Sequence, residues 1–137
     1  NVYAMAGTDD QVMSFPAAFQ VDAPFGTDIG GVPAAFIAVS ADAAFDSWLT
    51  IGVTDGSAGA SLAASPGLGL GDWSETAGIS ENNGAIFFMN PADGPAGDDI
   101  VLAQITSATP TGTASAKLQG RSADGSADWS AYKEWAW

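Results

Sequence analysis

The chain contains neither cysteine nor histidine, and only three of its 137 residues are basic. Without cysteine no disulfide framework can staple the fold, so core packing, metal or assembly must stabilise it, and the redox compartment is left open. Without histidine or cysteine, zinc sites of the ordinary kind and Ser-His-Asp or Cys-His nucleophile systems are excluded, which removes most hydrolases. The three basic residues, Lys117, Arg121 and Lys133, face 16 acidic ones, for a formal net charge of −13. Such a surface repels phosphate backbones and anionic lipid, so no nucleic-acid partner is expected, and cations are the natural counter-partners. Long apolar runs are also lacking. None approaches the roughly 20 residues of a membrane span, and no basic-plus-apolar leader stands at Asn1, so a soluble chain without membrane insertion is expected.

What is present is small and turn-rich. Apolar residues make up 47%, much of it alanine, and 17 glycines and 7 prolines are spread along the whole chain. That distribution suits many short strands better than long helices. A length of 137 residues matches one domain, 1–137, able to bury roughly two thirds of its unfolded surface. Asp-Gly turns recur at Asp55-Gly56, Asp93-Gly94 and Asp124-Gly125, but at unequal intervals, which argues against a solenoid.

The organising stretch is 45–53. Leu49, Ile51 and Val53 alternate with Trp48, Thr50 and Gly52, which predicts one strand closed by the Asp55-Gly56 turn. The alternation puts Leu49 and Ile51 in an inter-sheet core and leaves Thr50 a minor contributor. Strands are also predicted over 2–6, 34–39, 85–89, 100–105 and 113–119. The 85–89 and 100–105 runs, the most apolar, read as a central hairpin buried on both faces. The 113–119 run reads as an outer strand with Ala114, Ala116 and Leu118 inward and Gly120 as its end. Residues 15–21 carry Pro16 and read as an edge or connecting segment, and 56–84 as a long irregular loop with one helical turn over 60–64 and Trp73 pinning it to the core. About seven or eight short strands predict an all-β fold, an antiparallel two-sheet sandwich or jelly-roll. Because the chain opens directly into a strand, the domain is expected to lack a preceding N-terminal strand or to take one from a neighbour.

Three chemistries compete for the remaining residues. Asp46, Asp55, Asp72, Glu75 and Glu81 could supply a carboxylate pair for glycoside hydrolysis. Most acids here neighbour Gly, Ser, Asn or Pro, however, the company of turn residues that bond their own backbone, so no catalytic residue is expected. Calcium fits better, since oxygen ligands cluster in the loops carrying Asp93, Asp98 and Asp99 and carrying Asp124 and Asp128, although without the EF-hand spacing. Aromatics are the third. Trp129, Tyr132, Trp135 and Trp137 crowd into the last nine residues, with Trp135 and Trp137 on one face of any strand; they serve either as an interface or as a cap on the domain's own core.

The segments Phe15-Pro16-Ala17-Ala18-Phe19, Pro24-Phe25-Gly26, Phe45-Asp46-Ser47-Trp48-Leu49-Thr50-Ile51-Gly52, Phe87-Phe88-Met89-Asn90-Pro91 and Gln119-Gly120-Arg121-Ser122 resemble a β-rich domain of exported or repeat-containing proteins of marine algae. The chain is also similar in style to the pyrenoid-shell proteins of diatoms. The resemblance implies a building block that assembles into sheets or filaments, with no cofactor, and a further strand before the position of Asn1. The expected function is therefore a structural domain that self-assembles into a sheet, shell or filament, its partners being copies of itself and its acidic surface screened by cations. The alternative is a calcium-assisted carbohydrate-binding module with a glycan partner. The expected location is extracellular or a secretory organelle, with a plastid as the alternative.

Overall fold

The computed structural model describes residues 1–58 and 62–137. In chain order its strands are β1 (Val2–Gly7), β2 (Met13–Phe15), β3 (Trp48–Leu49), β4 (Leu62–Ala64), β5 (Ile79–Glu81), β6 (Gly84–Phe88), β7 (Ala103–Gln104), β8 (Thr113–Arg121) and β9 (Asp128–Ala136), with one α-helix, α1 (Ala34–Val39). They form an all-β sandwich of one seven-stranded antiparallel sheet faced by a two-stranded one, β3 with β7.

β8 is the hub. Its residues alternate as predicted, with Ala114, Ala116 and Leu118 buried. The expectation that it is an outer strand is overturned, because β1 and β2 share one of its edges and β9 occupies the other. Nor does Gly120 end it; the strand runs on to Arg121. A Cβ at Gly120 would lie 2.0 Å from the Asn1 carbonyl oxygen and 2.2 Å from the Trp129 ring, so only glycine lets both approach. Gly120→Ala is expected to cost about 1–3 kcal/mol through overpacking, read as a lower denaturation midpoint at unchanged slope.

β1 lies between β6 and β8. Its register on β8 shifts between Val2 and Ala4, a bulge that resets the alternation and lets Val2 and Met5, three residues apart, both enter the core. Met5, Met13, Phe15, Ile79, Ile86 and Phe88 join the β8 side chains in the core, together with Leu49 and Ile51 from the β3 segment and Leu70 and Trp73 from the connection between β4 and β5. The Trp73 indole N–H donates to the Pro16 carbonyl at 2.8 Å, so Trp73 does pin its loop.

Several expectations fail for physical reasons. The 34–39 run is helical, not extended: Phe36 and Ile37 N–H both donate to the Pro33 carbonyl, and a six-residue apolar run shows no usable period. The 45–53 stretch keeps only Trp48–Leu49 as strand, since Phe45 ends a 3-10 helix (Ala41–Phe45) and Gly52, at φ 76°, bends the chain away. Leu49 and Ile51 are nonetheless fully buried. Thr50 is fully buried too, its hydroxyl donating to the Val53 carbonyl at 2.5 Å and accepting from the Val53 N–H at 3.1 Å, so it is no minor contributor. The expected central hairpin does not form. Both edges of β6 are taken by β1 and β4, and the 100–105 segment crosses to the other layer to pair with β3. Its crossing is anchored where Val2 N–H donates to Pro95 C=O at 2.9 Å. The helical turn expected over 60–64 begins outside the described residues, and Leu62–Ala64 is strand.

Candidate functional site

β9 is the feature that function can use. Gly112 and Trp137 exchange both backbone hydrogen bonds at 3.1 Å, and Ser122 N–H donates to Ala127 C=O at 2.9 Å, which fixes the alternation along the β8–β9 ladder. Trp129, Ala131, Lys133 and Trp135 therefore point their backbone groups at β8, while Asp128, Ser130, Tyr132, Glu134 and Ala136 point theirs outward. No other strand pairs with that edge among the described residues. The other sheet margins, β4 and β5, are three residues each, whereas β9 has nine. Short edges are protected; a long one is a template for another strand.

The aromatic side chains divide between the two faces of β9. Trp129, Trp135 and Trp137 share the core-facing side with Ala114 and Leu118, and Trp135 packs against the core itself. Trp129 and Trp137 lie across the strand from Gly120 and Gly112, covering them, yet remain 38% and 47% exposed. Tyr132 is on the opposite face, its hydroxyl donating to the Val12 carbonyl at 3.3 Å. Three of the four predicted interface residues thus lie on β9 and Trp137 directly follows it, with Trp135 serving the domain's own core and Trp129 and Trp137 presented at the surface. A groove of about 300 Å3 lined by Leu102, Ile105, Trp135 and Trp137 separates β9 from the 100–105 segment. A neighbouring one of about 460 Å3 lies beside Asp98, Trp129 and Lys133.

The predicted metal ligands are not brought together. Among the described residues no group of three or more Asp or Glu converges. Asp124 sits in the β8–β9 turn and accepts from the Ser122 hydroxyl at 2.6 Å and from the Ser126 hydroxyl and N–H at 2.7 and 3.0 Å. Those bonds, the Ser122 hydroxyl first, pull its carboxyl down to about 2. Asp128 is held below the usual carboxylate range by Arg121, whose Nε donates at 2.8 Å in the one ion pair among the described residues. Asp93 accepts from the Asn90 side chain at 3.3 Å in a 3-10 turn (Pro91–Asp93), and Asp98 and Asp99 are exposed in the loop beyond it.

Of the acids considered for catalysis, Asp46, Asp55 and Glu81 are engaged in structure, whereas Asp72 and Glu75 are exposed. Asp46 is fully buried, with Oδ1 accepting from Val21 N–H at 2.8 Å and Oδ2 from Thr27 N–H at 2.7 Å. Burial outweighs these bonds and holds its pKa above the ordinary value. Asp28 is also raised, by partial desolvation first and the Asp46 charge second. Asp55 accepts from Ser57, and Glu81 accepts from Gly69 N–H at 2.9 Å.

Sequence reading missed a second surface. α1 has no buried residue, and Phe36, Ile37, Val39 and Phe45 are exposed together with it. Its exposure follows from the helix placing no side chain in the core; Phe36 meets Phe25 in an edge-to-face pair, ring centres 5.9 Å apart. Comparison with family models, with curated proteins and with solved structures finds no match for this chain.

Proposed function

We propose that this chain is a non-catalytic structural domain that self-assembles into a sheet, shell or filament, with cations screening its acidic surface. The observation that carries this reading is the nine-residue β9 edge, which offers outward hydrogen-bonding groups beside two exposed tryptophans. The exposed apolar α1 surface supports it, because a contact that pairs like with like closes on itself as a dimer and an extended array needs a second, different contact.

Proline tests the edge cleanly. At Ser130 a proline removes an outward N–H and leaves every β8–β9 bond in place. Wild type is expected to elute as large species at moderate salt, and Ser130→Pro to retain its β-type circular dichroism and cooperative melting while eluting as a smaller species. A wild type that is monomeric at all protein and salt concentrations, or a Ser130→Pro variant that assembles normally, overturns the reading. Because −13 of charge is gathered with each copy, assemblies are further expected to loosen in low-salt buffer containing EDTA. Assemblies that stay intact there show that screening is not required. The alternative glycan-binding reading draws on the groove beside Trp135 and Trp137, and a glycan array probed with and without calcium tests it.

A further inference from the structure

The charges of this chain are segregated. Residues 1–112 carry 13 acidic side chains and no basic one, whereas residues 113–137 hold all three basic residues, Lys117, Arg121 and Lys133, against three acidic ones. The whole net charge of −13 therefore lies outside the β8–β9 hairpin, and the hairpin itself is neutral. A contact built from charged segments outside the hairpin gathers carboxylates with no basic residue among them to oppose them, whereas a contact through β9 draws on a segment whose charges balance.

Resting on the self-assembly reading above, we infer that two copies join by antiparallel pairing of β9 with β9, about a two-fold axis at Tyr132, so that the main sheet continues from one molecule into the other. The register follows from the outward positions. An axis at Tyr132 pairs Asp128 with the partner's Ala136, Ser130 with the partner's Glu134 and Tyr132 with the partner's Tyr132, so every outward backbone group finds a partner. Trp129 then lies directly across from the partner's Trp135, and Lys133 across from the partner's Ala131. Moving the axis to Lys133 sets two lysines directly opposite. Moving it to Ala131 sets Asp128 opposite the partner's Glu134. Both shifts also leave outward groups unpaired at the ends, and like charges directly across a ladder are unfavourable. Only the Tyr132 axis avoids both penalties.

The absence of cysteine makes the register measurable. Single variants Ser130→Cys, Ala131→Cys, Tyr132→Cys, Lys133→Cys and Glu134→Cys each carry one thiol, and mild oxidation followed by non-reducing electrophoresis reads dimer yield. Tyr132→Cys places two Cα atoms about 5.5 Å apart, within disulfide reach. Ser130→Cys and Glu134→Cys each place their own partner thiol about 13 Å away along the strand. The expected result is a yield maximum at Tyr132→Cys, about tenfold above either of those two. An equimolar mixture of Ser130→Cys and Glu134→Cys should cross-link where each alone does not, which keeps the test valid if Tyr132→Cys folds poorly. A maximum at Ala131→Cys or Lys133→Cys overturns the register. No cross-link at any position, with wild type still eluting as large species, overturns the β9 pairing and leaves self-assembly standing on another surface. A monomeric wild type overturns both.

Discussion

Leu49→Ala and Ile51→Ala are each expected to lower the unfolding free energy by about 2–5 kcal/mol. Both side chains are fully buried at the meeting of the two layers, where they pack with Met5, Ile86 and Trp73. The surrounding backbone is held in place, with Thr50 N–H donating to Leu102 C=O at 2.9 Å and Gly52 N–H to Val101 C=O at 2.8 Å, so a cavity left there cannot readily collapse. Thr50→Ala removes less volume but breaks the hydroxyl's two bonds to Val53 in a buried position, which sets its cost at about 1–3 kcal/mol. Urea unfolding of the three variants ranks them. Losses below about 1 kcal/mol at both Leu49 and Ile51 would show that the two layers do not form one core.

The second large effect belongs to Asp46. Replacing it with alanine strips the acceptors from Val21 and Thr27 N–H and is expected to cost about 2–4 kcal/mol, with relief of the buried charge offsetting part of two charge-assisted bonds. The pH dependence has a definite sign. Because burial raises the folded-state pKa above 3.8, the folded chain holds more protons than the unfolded one between 3.8 and the raised value. Wild-type stability therefore falls as pH rises through that window, and the fall due to this group should vanish in Asp46→Ala. A variant with wild-type stability and an unaltered pH profile would mean that the 21–27 loop is held by other contacts.

The sequence made some of this architecture plain and hid the rest. β8 was readable because Ala114, Ala116 and Leu118 alternate with polar residues, and β1 because its apolar residues crowd into six positions. Sheet order was not, since whether β6 pairs with β7 or with β1 depends on which edges are already filled, a property of the assembled sheet. Asp46 and Thr50 broke the pattern of 45–53 because they are polar side chains buried for the bonds they make. At the candidate site, the aromatic content of β9 and the common face of Trp135 and Trp137 were legible. The free edge was not, because it follows from β1 and β2 taking the other side of β8.

The placement of β1 also governs how this chain comes to be folded. β1 spans residues 2–7, and its neighbours in the sheet are β6, near residue 86, and β8, beyond residue 112. The middle of the sheet is thus closed by contacts among the most distant in sequence, and chains of that kind acquire structure slowly. On the ribosome β1 must wait, with Met5 uncovered, until β8 has emerged. The β9 edge in turn takes shape only together with the β8 strand that carries it.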